Sequence, residues 1–166
     1  LWALVTEANL MGKSSVFRIV RWMLHGRQTE KLQDVRDWLH RCSLRFAIDD
    51  SVYEVRAELQ GGVAGCLMRL FPDGAVTKLA AFRSDAEFES VMSGFFLREF
   101  GFDTVSRWRD SSSEDGGKPV IHGWPSLSGA MFVGSDYSVL LGDVPPQAGL
   151  TTPLMQMYLG LPWVST

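Results

Sequence analysis

The triplet Gly12-Lys13-Ser14, followed by Ser15, is the part of this sequence whose residue types and spacing most directly imply chemistry. A loop that binds nucleotide phosphates is written as glycine, four residues of any kind, glycine, lysine, then serine or threonine. Each part has a physical task. Backbone N–H groups of the loop and of the following helix N-terminus point at the phosphates. The lysine reaches the β and γ phosphates as a point charge, and the hydroxyl after it holds Mg2+. Here Gly12, Lys13 and Ser14 fill the last three positions, and the reading assigns the loop to Asn9, Leu10, Met11, Gly12, Lys13, Ser14 and Ser15, with Ser14 on the metal. One position departs. The first glycine falls at residue 7, which is Glu7. A carboxylate there repels phosphate and a side chain strains the turn. Either the loop tolerates a variant, or nucleotide binding is weakened or lost.

Such a loop needs a strand before it and a helix after it. Leu1 to Val5 is an unbroken apolar run, the pattern of a strand buried on both faces, and Thr6 to Gly12 reads as a loop. Ser14 to Leu24 has helical spacing. Val16, Phe17, Ile19, Val20, Trp22, Met23 and Leu24 cover most of its circumference, leaving a stripe of Ser14, Arg18, Arg21 and His25. That pattern predicts a helix buried on nearly all sides, stopped by Gly26.

After a polar connector, Arg27 to Asp34, four segments have strand character. Cys42, Leu44, Phe46 and Ile48 alternate with Arg41, Ser43, Arg45 and Asp49; Tyr53, Val55, Ala57 and Leu59 alternate with Glu54, Arg56 and Glu58. Val63 to Phe71 and Ala75 to Phe82 follow. Asp49-Asp50, Gln60-Gly61-Gly62 and Pro72-Asp73-Gly74 are turn chemistry, so the four segments predict an antiparallel meander with one wet face. Ser84-Asp85-Ala86-Glu87 is a capping box, and Phe88, Val91, Met92, Phe95, Phe96 and Phe100 make one apolar helical face closed by Gly101. Further on, Asp110 to Lys118 reads as a mobile loop. Ala130 to Val133 and Ser138 to Leu141 read as short buried strands, Pro145-Pro146 as a break, and Thr152-Pro153 as the start of a helix reaching Tyr158 or Leu159.

The order Asn-x-x-Gly-Lys-Ser-Ser at residues 9–15, before a helix containing Phe17 and Trp22, resembles the ABC-type ATPase heads of the SMC, RecN and RecF group. Asn9 is the sole asparagine in the chain and sits within the loop. In those heads the loop precedes a hairpin-rich antiparallel layer, which the meander at Arg41 to Phe82 matches in position and type. The resemblance implies an α/β fold, half of a phosphate-loop NTPase, in which strand, loop and helix sit beside the meander. It implies ATP and Mg2+ at Asn9 to Ser15, with Lys13 on the phosphates and Ser14 on the metal. It also implies that a C-terminal lobe supplies the acidic Mg2+ site, the catalytic glutamate and a Leu-Ser-Gly-Gly-like motif, that a second identical head sandwiches the ATP, and that hydrolysis moves coiled coils or DNA in chromosome maintenance, repair or anti-phage defence. Residues 139–144 resemble the family's glutamine loop, but Leu141 stands in the glutamine's place, and Gln147 close behind is the one candidate substitute. On this reading residues 1–166 form a single lobe of a longer protein, cut at both ends, and ATP hydrolysis awaits its other half.

Two rivals remain. A small phosphate-loop kinase would require a core of five parallel strands, which is hard to find in this sequence. A degenerate lobe kept for assembly would account for Glu7 and Leu141. Guanine specificity through Asn-Lys-x-Asp is excluded, because no asparagine other than Asn9 exists. A net charge of -3 gives no whole-chain attraction to nucleic acid or anionic membrane, though a local basic patch would suffice for DNA. No apolar run approaches the roughly 20 residues of a membrane helix. Cys42 and Cys66 read as a reduced pair in apolar surroundings, which fits a cytoplasmic protein. Leu127-Ser128-Gly129-Ala130 imitates the ABC signature but precedes strand-like residues, and His25, His40 and His122 lack metal spacing. Arg107-Trp108-Arg109 reads as a solvated edge ahead of a DNA contact.

Overall fold

The structure, a computed structural model, describes residues 13–27, 39–102, 105–109 and 118–128, with Gln156 and Leu159; for residues 13, 14, 105–109, 118–122 and 126 it describes the backbone alone. The chain divides into two compact units, Leu1–Gly101 and Phe102–Thr166. The first holds α1 (Lys13–His25), β1 (Arg41–Ile48), β2 (Ser51–Glu58), β3 (Ala64–Leu70), β4 (Val76–Phe82) and α2 (Asp85–Glu99). The class is α/β, and the strands form one antiparallel sheet in the order β1-β2-β3-β4. The alternating segments thus become the meander their pattern predicts, joined by the turns at Asp49-Asp50, Gln60-Gly62 and Pro72-Gly74. Ile48 pairs with Ser51 across a two-residue turn, in which Asp49 takes φ 48°, left-handed backbone that aspartate tolerates.

Parity sorts the side chains onto two faces. The inner face carries Cys42, Phe46, Tyr53, Val55, Ala57, Leu67 and Phe82, and α2 covers it with Phe88, Met92, Phe95 and Phe96. The rings interlock: Phe82 stacks on Phe88 at 4.3 Å, and Phe95 meets Tyr53 edge-on at 4.8 Å. Tyr53 donates its hydroxyl proton to Glu99 at 3.0 Å, which satisfies the polar end of a buried ring. The capping box forms in a modified way. The Glu87 N–H donates to Ser84 Oγ at 3.2 Å, but the Glu87 carboxylate accepts from the N–H of Arg83, one residue before the cap. Gly101 ends α2 at φ 63°, its N–H donating to the Arg98 carbonyl.

Gly65 belongs to this inner face for a steric reason. A Cβ there would stand 1.9 Å from the Arg56 carbonyl oxygen and 2.7 Å from the Phe82 ring. Between Leu67 and Met68 the register against β4 slips: Leu67 pairs with Ala80 but Met68 with Lys78, leaving Leu79 as a bulge on the edge strand.

Helix α1 corrects one expectation. Val16 and Phe17 are 50% and 61% exposed, so the helix is not buried on nearly all sides. Its burial lies in the last turns, at Trp22, Met23 and His25, and His25, assigned to the polar stripe, is fully buried. The reason is where α1 meets α2. Trp22 packs edge-on to Phe88 at 5.8 Å, and Gly26, at φ 70°, brings its Cα so close to α2 that a Cβ would lie 2.6 Å from the Phe88 carbonyl oxygen. One end of α1 is therefore held against its neighbour.

The second unit contains β5 (Val105–Arg109) paired antiparallel with β6 (Lys118–His122), then the single turn α3 (Trp124–Leu127). Trp124 and Leu127 are buried, and the Ser128 hydroxyl donates to the Trp124 carbonyl at 2.7 Å. The strand at Leu1 to Val5, the loop at Thr6 to Gly12, the loop expected after Asp110, the two strands at 130–133 and 138–141, and Pro145-Pro146 lie outside the described residues. Of the helix expected from Thr152, Gln156 is described and is helical. No helix among the described residues is long and apolar enough to cross a membrane.

Candidate functional site

Helix α1 is described from Lys13, the residue directly after Gly12, so Lys13, Ser14 and Ser15 share its first described turn. That turn holds no acidic residue. Asn9, Leu10, Met11, Gly12 and Glu7 lie outside the described residues, as do Leu141 and Gln147. Leu127-Ser128, where the sequence imitates the ABC signature, closes α3, whereas in the family the signature opens a helix.

Of the three histidines, His25 is buried in α1, His40 is exposed with its ring against the Gln60 amide, and His122 ends β6. Among the described residues no group of three or more His, Cys, Asp or Glu side chains is arranged to hold a metal ion. Both cysteines are free thiols. Cys42 is buried on the inner face, where desolvation raises its pKa, and Cys66 is half-buried on the outer one. Arg107, Trp108 and Arg109 lie on β5, opposite Val120, Pro119 and Lys118.

The densest polar cluster among the described residues was not singled out from the sequence. It stands on the outer face of the sheet, where Arg45, Glu54, Met68 and Lys78 form one cross-strand row and Ser43, Arg56, Cys66 and Ala81 the next. Glu54 is 3% exposed although it lies on the wet face. Arg45 covers it from one side, donating through Nη2 at 2.9 Å and Nε at 3.3 Å; Arg56 donates from the other through Nε; Ser43 Oγ adds a contact at 3.3 Å. The hydrogen bond from Arg56 is the largest influence on the Glu54 carboxyl, and together with Arg45 it outweighs desolvation and lowers the pKa. Reciprocally, Glu54 raises that of Arg56. A readable signal existed: Arg45, Glu54 and Arg56 sit at alternating positions of two adjacent strands. Period-two patterning assigns such residues to solvent, however, and cannot show that two long arginines fold over the shorter glutamate between them.

In comparisons with known proteins, no family model, no curated protein and no solved structure matches this chain.

Proposed function

We propose that this chain is the nucleotide-binding lobe of an ABC-type ATPase head related to the SMC, RecN and RecF group. In that reading ATP and Mg2+ are held by Asn9 to Ser15, with Lys13 on the phosphates and Ser14 on the metal. The observation that carries the proposal is the helical backbone of Lys13 and Ser14, directly after Gly12 in the sequence. A phosphate loop requires its lysine and hydroxyl to sit on the helix that follows the glycine, so that they and the backbone N–H groups converge on one anion. The carboxylate-free first turn supports it, as does an antiparallel meander following the helix. Hydrolysis belongs to the assembled head, with a C-terminal lobe and a second copy across the ATP, and DNA is the partner on which such assemblies act. Glu7 favours a second reading, a degenerate lobe retained for assembly.

Calorimetry of ATP with Mg2+ separates the two, using the wild-type chain, Lys13→Ala and Glu7→Gly. Binding by wild type that Lys13→Ala removes supports a working loop. Silence in wild type with binding by Glu7→Gly supports the degenerate lobe. Equal binding by wild type and Lys13→Ala overturns both.

A further inference from the structure

The outer face of the sheet holds a groove of about 560 Å³, and its lining differs from the rest of that face. Arg41, Ser43 and Arg56 stand along it with Glu54 and Glu58, and Ala64, Gly65 and Cys66 lie beneath. The register explains the depression. Ala64 and Cys66 lie opposite Glu58 and Arg56, so small side chains on β3 face long ones on β2.

The guanidinium of Arg56 is anchored at one end. Its Nε is tied to Glu54, and neither of its Nη groups makes a hydrogen bond among the described residues. Since the Glu54 side chain is 4% exposed, the anchor is shielded from water while the Arg56 side chain, 55% exposed, reaches outward. Arg41 is held more loosely. Its Nη2 meets Glu58 at 3.0 Å, with side chains 72% and 66% exposed, and a pair so open to water is worth little and exchanges readily. This face carries Arg41, Arg45, Arg56 and Lys78 against Glu54 and Glu58, an excess of cations in a chain whose net charge is -3.

We propose that this groove is a binding site for a small phosphate oxyanion, held by the Nη groups of Arg56 and by Arg41 after it releases Glu58. Two planar forks match the several acceptor oxygens of a phosphate, and a dianion displaces the exposed Glu58 carboxylate more effectively than a monoanion does. Glu54 is a positioning residue: it fixes the angle at which Arg56 offers its free nitrogens. The proposal does not depend on the loop at Asn9 to Ser15.

The test is a titration of the full chain with inorganic phosphate at constant ionic strength, followed by amide NMR. The expected result is saturable shifts at Ser43, Gly65 and Cys66, unchanged in Lys13→Ala, with affinity falling at least about tenfold in Arg41→Gln. Arg41 is exposed and outside the core, so that variant keeps the fold. Ala64→Glu, at another exposed position, sets a carboxylate in the groove and is expected to abolish the shifts. The absence of saturable shifts at these amides overturns the proposal. So does binding that Lys13→Ala removes and Arg41→Gln leaves intact, which would assign the phosphate to the loop. Replacing phosphate by sulfate at equal charge tests the class: equal affinity at the same amides identifies a general anion surface and overturns a phosphate site.

Discussion

At the residue scale the chain concentrates its electrostatic stakes in Glu54. A carboxylate almost free of water needs its partners, and here they are two arginines that are themselves well exposed. Because the folded pKa lies below that of the unfolded chain, near 4.3 for a glutamate, its stabilisation is complete at neutral pH. It is lost as pH falls through the lowered folded value. Thermal melts between neutral pH and strong acid are therefore expected to show a steep acid limb that is shallower in Glu54→Gln. An equally steep limb in the variant would assign acid sensitivity to other groups. Arg56→Ala, which leaves Glu54 with Arg45 and Ser43, is expected to lower the urea unfolding midpoint at pH 7. The thiols offer a second contrast. Burial raises the pKa of Cys42, whereas Cys66 is half-exposed on the groove. A thiol reagent at mildly alkaline pH is expected to modify Cys66 first, with Cys42 reacting at the rate of unfolding.

At the element scale α2 is what makes the meander a core. Phe88 is fully buried between Trp22 and Phe82, so Phe88→Ala is expected to cost about 3–5 kcal/mol, read from the urea midpoint. Ser84→Ala removes the acceptor of the Glu87 N–H and is expected to cost about 1 kcal/mol. The strands, their turns and α2 were legible because each shows one clean period bounded by residues of fixed conformational preference, such as Ser84 and Gly101. The burial of α1 was not. Its apolar residues surround the axis, so no stripe identifies the covered side, and Gly26 rather than hydrophobicity decides which end is packed. The β5–β6 pair was also missed. Its strands are five residues each, one contains Pro119 and the other Arg107 and Arg109, and neither alternates strongly enough to stand out from loop. Of the candidate loop, the glycine, lysine and serine order was readable, and the structure adds that Lys13 and Ser14 have helical backbone.

At the scale of the whole molecule, the two compact units imply a division of stability. A chain ending at Gly101 is expected to retain slow amide exchange at Val55 and Leu67, both buried in the first unit. Loss of that protection would mean that Phe102–Thr166 is required for the sheet. Within the first unit the four described strands pair in sequence order, and α2 follows the last strand at once. The exception is α1, whose packing partner Phe88 lies far along the sequence. On a ribosome making 5–20 residues per second, α1 emerges roughly 3–15 s before the surface that receives Gly26 and Trp22 has been made. For that interval Trp22 and Met23, buried in the folded protein, have no finished core to join. Among the described elements of the first unit, this helix consequently has the longest exposure to chaperones and proteases during synthesis.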